Sequence, residues 1–313
     1  MKKNLYIFLC LMIFSSCKKE DNVIIGWEKV NPSAMDGKSI MSIAVSGANI
    51  YVISSDIKQH LFKSVDNGAN WLEVTGIPYA VSSVTIWDNY VFVGTSRGIY
   101  RSSDNGVNWS AINTGFPLSW GSLGEANPFT SGNKLFAYYS GKIYATSNNG
   151  ETWEVAFTGL DALSVYLFKN TGPNYFVGNR DFIYRSTNTG ETWATASKIN
   201  GYIKALDILG TNVVVGTTSG LYYSVDNGVN WLQAKITDEN FQSPSVRCLV
   251  VSGKNIYAGT ESHGMYRSTD SGLTWSTYNT SFSDSNTPSV YSCSIYGNYI
   301  YAGTGNGLWK RKL

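Results

Sequence analysis

Histidine and cysteine are scarce in this chain, and their scarcity removes several kinds of chemistry at once. Two histidines in 313 residues cannot build a His-rich metal centre, and no Cys/His spacing matches a zinc site, so neither metal nor cofactor is expected. The phosphate-loop pattern GxxxxGK[ST] and the zincin pattern HExxH are both absent, which sets aside those two chemistries. Gly94-Thr95-Ser96-Arg97-Gly98 formally fits GxSxG. It stands between two strand-like runs, however, and a nucleophile elbow needs a strand, a turn and a helix. Nor is one sign of charge in excess. Without Lys2 and Lys3 of the N-terminal segment, the basic residues equal the 22 acidic ones, and no basic run is present, so no nucleic-acid partner is expected. Beyond the first residues there is no second long apolar stretch, so nothing in the remainder is expected to span a membrane.

What the chain does contain is repetition. Six eight-residue phrases recur: SVDNGANW (64–71), SSDNGVNW (102–109), TSNNGETW (146–153), STNTGETW (186–193), SVDNGVNW (224–231) and STDSGLTW (268–275). Their tryptophans stand 38, 44, 40, 38 and 44 residues apart, a period that marks solenoids, propellers or arrays. Each unit holds an apolar run, a Gly/Asn turn, a VGT- or AGT-like run, a second turn, an aromatic-x-Ser strand, the phrase, and a strand opening on Trp. In the fifth unit these read IKALDIL, GTN, VVVGTT, SG, LYYS, VDNG and NWLQA. The apolar residues alternate or run in short blocks between turn signals, which argues strand and not helix. Thirty-one glycines and 14% aromatics agree with an all-β chain.

Radial repetition of four-stranded sheets leaves only short protected edges, so a closed propeller is favoured over a linear array. After the sixth phrase, YSCSIY, YIYAGT and LWKRKL supply three more strands without a fourth, while Gly26-Trp27-Glu28-Lys29-Val30 matches the Trp-led fourth strands of other units. The expectation is therefore a seven-bladed β-propeller of four-stranded antiparallel blades over residues 26–313, closed where the N-terminal strand joins the C-terminal three. It is expected to be a monomer.

The phrase resembles the Asp-box of the BNR repeat, found in sialidases, oligoxyloglucan-type glycoside hydrolases, sortilin-type receptors and the photosystem II assembly factor family. That resemblance implies a structural role for Asp66, Asp104, Asn148, Asn188, Asp226 and Asp270: each accepts hydrogen bonds from its own turn, with Gly taking the positive φ and Trp packing on the hairpin.

The first residues carry an export signal. MKKNLYIFLCLMIFSSC has two lysines, an apolar stretch and small residues before a cysteine, and it resembles a bacterial lipoprotein signal. Residues 1–16 would be removed, Cys17 would carry lipid, and residues 17–25 would form a tether. Lys18-Lys19-Glu20-Asp21 resembles the surface-export signals of Bacteroidota lipoproteins, and this favours the outer membrane, on its periplasmic side or at the cell surface. Cys248 and Cys293 remain, at what reads as matching first-strand positions of adjacent blades. Two small buried thiols are expected there, a disulfide requiring Cα atoms within about 7 Å.

Blade topology sorts the polar residues by face. Second-to-third turns and inter-blade links share the face opposite the Asp-boxes, where binding residues of a rigid scaffold usually gather in loops. Arg97, Arg180 and Arg247 are placed there, with His60, Asp56, Asp181, Glu261 and His263, and with Phe116, Trp120 and Glu125 in the link 113–128. Two further links bring Asp238, Glu239 and Asp284. Arg101, Arg185 and Arg267 recur in one third-strand slot and read as part of the repeat. Phe116 and Trp120 are expected to form an aromatic platform, and Arg97 and Arg180 in their turns, with Arg247 at the start of a first strand, to recognise carboxylate or polar groups. The resemblance to the assembly-factor family, matching in size and blade number, implies a non-enzymatic module binding a protein or a glycan at the envelope. The resemblance to sialidases leaves an alternative, an exo-acting glycoside hydrolase using carboxylates and arginines of that face.

Overall fold

The computed structural model describes residues 26–30, 32–55, 59–119, 121–160, 164–194, 197–237, 243–282 and 288–313. The leader 1–16, Cys17 and the tether 17–25 lie outside the described residues, as do Asp56, Trp120, Asp238, Glu239 and Asp284.

Antiparallel hairpins dominate because each apolar run is bounded by residues that accept positive φ. Gly47, Gly132, Gly172, Gly210, Gly253 and Gly297 turn first strands into second strands at φ between 54° and 65°. All but one of the described strands group by antiparallel pairing into seven sets of four, blades 1 to 7 in chain order; Lys235–Ile236 adds parallel to the outer strand of blade 6, and blades 2 and 3 are joined by the pair Ala126↔Thr95. Their innermost strands are Ile40–Ser46, Val81–Trp87, Ala126–Ser131, Leu167–Thr171, Ile203–Leu209, Val246–Ser252 and Val290–Tyr296. Each of these contacts the next, and the last contacts the first, so the seven innermost strands form a closed ring. Among the described residues the propeller is thus all-β apart from a single helical turn, Pro32–Met35.

Closure is made by the strand Glu28–Lys29, which pairs antiparallel with Gly307–Lys312 in the register Glu28↔Lys310 and Lys29↔Trp309. Trp27, 2% exposed, anchors it. Its Nε1–H donates to the Tyr278 carbonyl at 2.7 Å and its ring stacks on Phe282 at 4.4 Å. The blades touch through glycine. A Cβ on Gly94 would collide with the Ala126 carbonyl of the next blade, and one on Gly303 with the Ile40 carbonyl across the closure. The Gly of the VGT and AGT runs is therefore required by the approach of the neighbouring blade, by its backbone at Gly94 and Gly303 and by the Val246 and Val290 side chains at Gly216 and Gly259.

The Thr of the same runs has a separate task. Thr95, Thr217, Thr260 and Thr304 are all fully buried. Each donates its hydroxyl to a Gly carbonyl across the second-to-third turn and accepts a backbone N–H within it, as Thr95 does with Gly98 at 2.8 Å and Arg97 at 3.1 Å. This pins the turns that present the opposite face.

Candidate functional site

The six repeat turns are self-contained. In the first, Ser64 Oγ donates to Asp66 Oδ1 at 2.8 Å and accepts the Gly68 N–H. The Asn70 backbone N–H donates to Oδ1 and its side-chain amide to Oδ2, at 2.8 and 2.7 Å. Asp104 and Asp226 repeat this with Asn108 and Asn230. Asn148 and Asn188 keep the acceptor on Oδ1 and use the amide hydrogens to donate to Thr152 and Thr192. A Thr four residues on serves either residue, because its hydroxyl accepts from the Asn148 and Asn188 amides and donates to the Asp270 carboxylate. Two consecutive residues take positive φ in every copy, Asn67 with Gly68 through Ser271 with Gly272; glycine alone was expected to. Hydrogen bonds from Asn70, Asn108 and Asn230 backbone N–H groups first, then from their side chains and the turn serines, hold the Asp66, Asp104 and Asp226 carboxyls below the usual range, Asp226 at about 2. These carboxylates are committed to their own turns.

The third-strand slot ties turns together. Lys63, Arg101 and Arg185 each donate to the carbonyl of the positive-φ residue in the next blade's turn, Asn105, Asn149 and Asn227, at 3.0, 2.7 and 3.1 Å. Arg101 and Arg185 are therefore structural, as the sequence suggested.

On the opposite face, the candidate residues separate into three groups. His60 and Glu73 pair at 2.5 Å on the wall of a groove of about 760 Å³ between blades 1 and 2, which Tyr79 also lines. Arg97, exposed, lies 5.4 Å over the Tyr79 ring. In blade 4, Arg180 stacks 3.6 Å over Tyr202, while Asp181 has its N–H held by Asn179. Tyr166 lies close enough to feel both charges, although burial is the larger cause of its raised pKa. In blade 6, Arg247 pairs with Glu261 and lies 5.3 Å over Tyr291, and Ser245 Oγ donates to Glu261 at 2.9 Å. His263 shares that turn, its Nδ1 2.8 Å from Ser262 Oγ. The Arg247 hydrogen bond, then that of Ser245, keeps Glu261 ionised below the usual range, and Lys204 adds to the effect. Every described carboxyl with a resolved shift, Asp36, Asp66, Asp104, Asp226, Glu261 and Asp270, is shifted downward.

One expectation is corrected. Phe116 is not part of an exposed platform: it is 7% exposed, stacked on Tyr139 at 4.6 Å and on Trp153 at 5.4 Å. The link folds inward because an apolar ring beside two aromatic faces is worth more buried than in water. Glu125, in contrast, is exposed and accepts from Asn127 Nδ2 at 3.1 Å.

Sequence reasoning named Arg247 but missed the other residues at the mouth of the ring. Each innermost strand begins near a buried residue, Ile40, Val81, Ala126, Val165, Ile203, Val246 or Val290, none more than 4% exposed. In blades 1, 2, 5, 6 and 7 the pairing register shifts directly after it. Such a bulge frees one residue from the ladder and re-aims its side chain. The residues so placed are Met41 and Ser82 in blades 1 and 2, and Lys204, Arg247 and Tyr291 in blades 5, 6 and 7. Asn127 and Tyr166 follow the buried residue in blades 3 and 4. The residues so placed in blades 1 to 3 are uncharged, with Arg97 on Tyr79 flanking them, and Ser82 and Ser83 both donate to Asn127 Oδ1 at 2.8 Å. The blade 4–7 half carries Lys204 and Arg247 with Tyr166 and Tyr291, flanked by Arg180 on Tyr202. The signal was in the sequence, as the residue after the first apolar position of each unit, but only the bulge shows that it leaves the ladder.

The match of residues 24–312 to the DUF6242 β-propeller domain places the chain in that family. No curated protein matches it in sequence. Among solved structures it is similar to YCF48 from Cyanidioschyzon merolae, at 17% identity and TM-score 0.67 over 92% of this chain and 98% of that one. It is similar also to YCF48 bound to D1 peptide, at 15% identity and TM-score 0.65 over 92% and 96%. The extracellular domain of a putative one-component system from B. thetaiotaomicron is a third, at 16% identity and TM-score 0.67 over 91% of this chain and 39% of that one. These likenesses establish the propeller fold.

Proposed function

We propose that this propeller is a non-enzymatic binding module of the bacterial envelope, held at the outer membrane by lipid on Cys17, that docks a protein segment across the mouth of blades 4 to 7. The observation that carries the reading is the half-ring of Arg180, Lys204 and Arg247 interleaved with Tyr166, Tyr202 and Tyr291. Guanidinium groups already laid on tyrosine rings lose little freedom on binding; Arg180 offers its planar donor edge to carboxylates or peptide carbonyls, and Arg247 offers the donors that its pairing with Glu261 leaves over. Tyr166 and Tyr202, 40% and 45% exposed, supply apolar area at low entropic cost. That a YCF48 propeller binds a D1 peptide supports a peptide mode for this architecture, and the extracellular neighbour supports an envelope setting.

The test is capture. Wild-type protein and the Arg180→Ala/Lys204→Ala/Arg247→Ala variant, each photo-crosslinked at Tyr202, are compared for recovered envelope peptides. Loss of the recovered peptides in the variant, with an unchanged melting temperature, is expected; equal recovery would sink the reading. For the anchor, Cys17→Ala should release the protein from membranes, and persistent membrane association would refute it.

A further inference from the structure

Cys248 and Cys293 occupy the innermost strands of blades 6 and 7, and those strands are in contact. Their positions are not equivalent, contrary to the reading from sequence. Cys248 stands opposite Gly259, the place taken in blade 7 by Ser292 opposite Gly303. Cys293 stands opposite Ala302, the place taken in blade 6 by Leu249 opposite Ala258. Successive side chains of a strand point to opposite faces. Equivalent residues of neighbouring blades therefore point the same way and cannot meet, whereas an offset of one residue turns two side chains toward each other.

The surroundings agree. A Cβ on Gly259 would collide with both Cys248 Sγ and Val290 of blade 7, so the Cys248 side chain lies in the gap between the two blades. Cys248 and Cys293 both pack against one apolar cluster that includes Trp27, Val290 and Trp309. Both thiols are free and part-buried there, and burial first, then the neighbouring Cys248 thiol, pushes the Cys293 thiol well above its usual range.

We propose that Cys248 and Cys293 form a disulfide that fastens blade 6 to blade 7. The inference rests on the export part of the proposed function, because a glutathione-buffered cytosol keeps such pairs reduced. In the exchange one thiolate attacks the disulfide of an oxidised dithiol oxidase, breaking that S–S bond and forming a mixed disulfide. The second thiolate then displaces the enzyme's sulfur. Two protons and two electrons leave the cysteines, and the oxidase is left as a dithiol. Because both side chains lie part-buried between packed blades in the folded chain, the exchange occurs during folding, before blades 6 and 7 close on each other. Blade 7 is the one built from both chain ends. A covalent tie to blade 6 holds its three C-terminal strands in place whether or not Glu28–Lys29 has paired.

The test uses the full chain with its leader, recovered from the envelope and unfolded in alkylating reagent without reductant. The expected result is no alkylation of Cys248 or Cys293 and a linked peptide two hydrogens lighter than the sum of its parts. Reduction should lower the melting temperature by about 5–10 °C, and the Cys248→Ser/Cys293→Ser variant should melt near the reduced value and ignore reductant. In a second arm the full chain is refolded from denaturant in mixed reduced and oxidised glutathione. Both thiols alkylated in both arms would overturn the disulfide. A link formed on refolding but missing from cells would uphold the disulfide and overturn export instead.

Discussion

The two faces of this propeller are built from the same repeat and behave as opposites. On the repeat-turn face, the turn carboxylates, amides and carbonyls are engaged within their own turn or by the neighbouring blade: Asp66 by Ser64 and Asn70, the Asn105 carbonyl by Lys63. On the other face the repeat supplies only the frame, a buried Thr and a bulge, and the side chain presented at the bulge changes from Met41 through Ser82 to Lys204, Arg247 and Tyr291. Repetition records what the fold needs in every blade. Departure from repetition, confined to one face and strongest over blades 4 to 7, records what the fold does not need.

That contrast can be broken by substitution. The largest effect is expected at Trp153→Ala. The ring is 1% exposed and its Nε1–H satisfies the Ile112 carbonyl at 2.8 Å, so about 4–5 kcal/mol of stability should be lost in denaturant unfolding. Phe116→Ala, on the opposite face but turned inward, should cost about 3 kcal/mol. A near-neutral result there would show that the link is a detachable loop.

Acid titration discriminates next. The Asp66, Asp104 and Asp226 carboxyls are held below their unfolded value of about 3.9 by hydrogen bonds, so their contribution is fully present above that value and disappears as pH falls toward about 2 for Asp226. Replacing all three by Asn should flatten the melting temperature between about pH 4 and pH 2. An unchanged pH profile would mean that the carboxylates do not organise the turns.

At the mouth, Arg180→Ala, Lys204→Ala and Arg247→Ala should each shift stability by no more than about 0.5 kcal/mol while weakening peptide capture. A large destabilisation would erase the distinction between the faces. The smallest signal is local: Arg247→Ala should let the Glu261 carboxyl rise toward its ordinary range, which carboxyl-carbon NMR titration reads directly.

The legibility of the chain followed the same division. The spacing of the tryptophans, the Gly and Asn turns, and the likeness of Trp27-Glu28-Lys29 to other fourth strands prescribed an all-β propeller and the pairing that closes it, because period, turn chemistry and strand pattern are local properties. Arg101 and Arg185 were legible as scaffold through their recurrence in one slot. His60, Arg97, Arg180, Asp181, Arg247, Glu261 and His263 were assigned to the right kind of turn or strand end. Their division into three groups was not visible, since it depends on which neighbouring tyrosine each cation finds.

Residues set by the sequence alone are those whose role repeats with the unit: the turn carboxylates and amides, the buried Thr, and the Gly where the next backbone passes. Whether Phe116 covers the core or faces a partner, which side chains a bulge turns into the mouth, and whether two cysteines look at each other or in the same direction were decided only in three dimensions. The reason is parity. A strand alternates its faces every residue, so a shift of one in register exchanges inside for outside, and registers are settled by the packing of blade against blade.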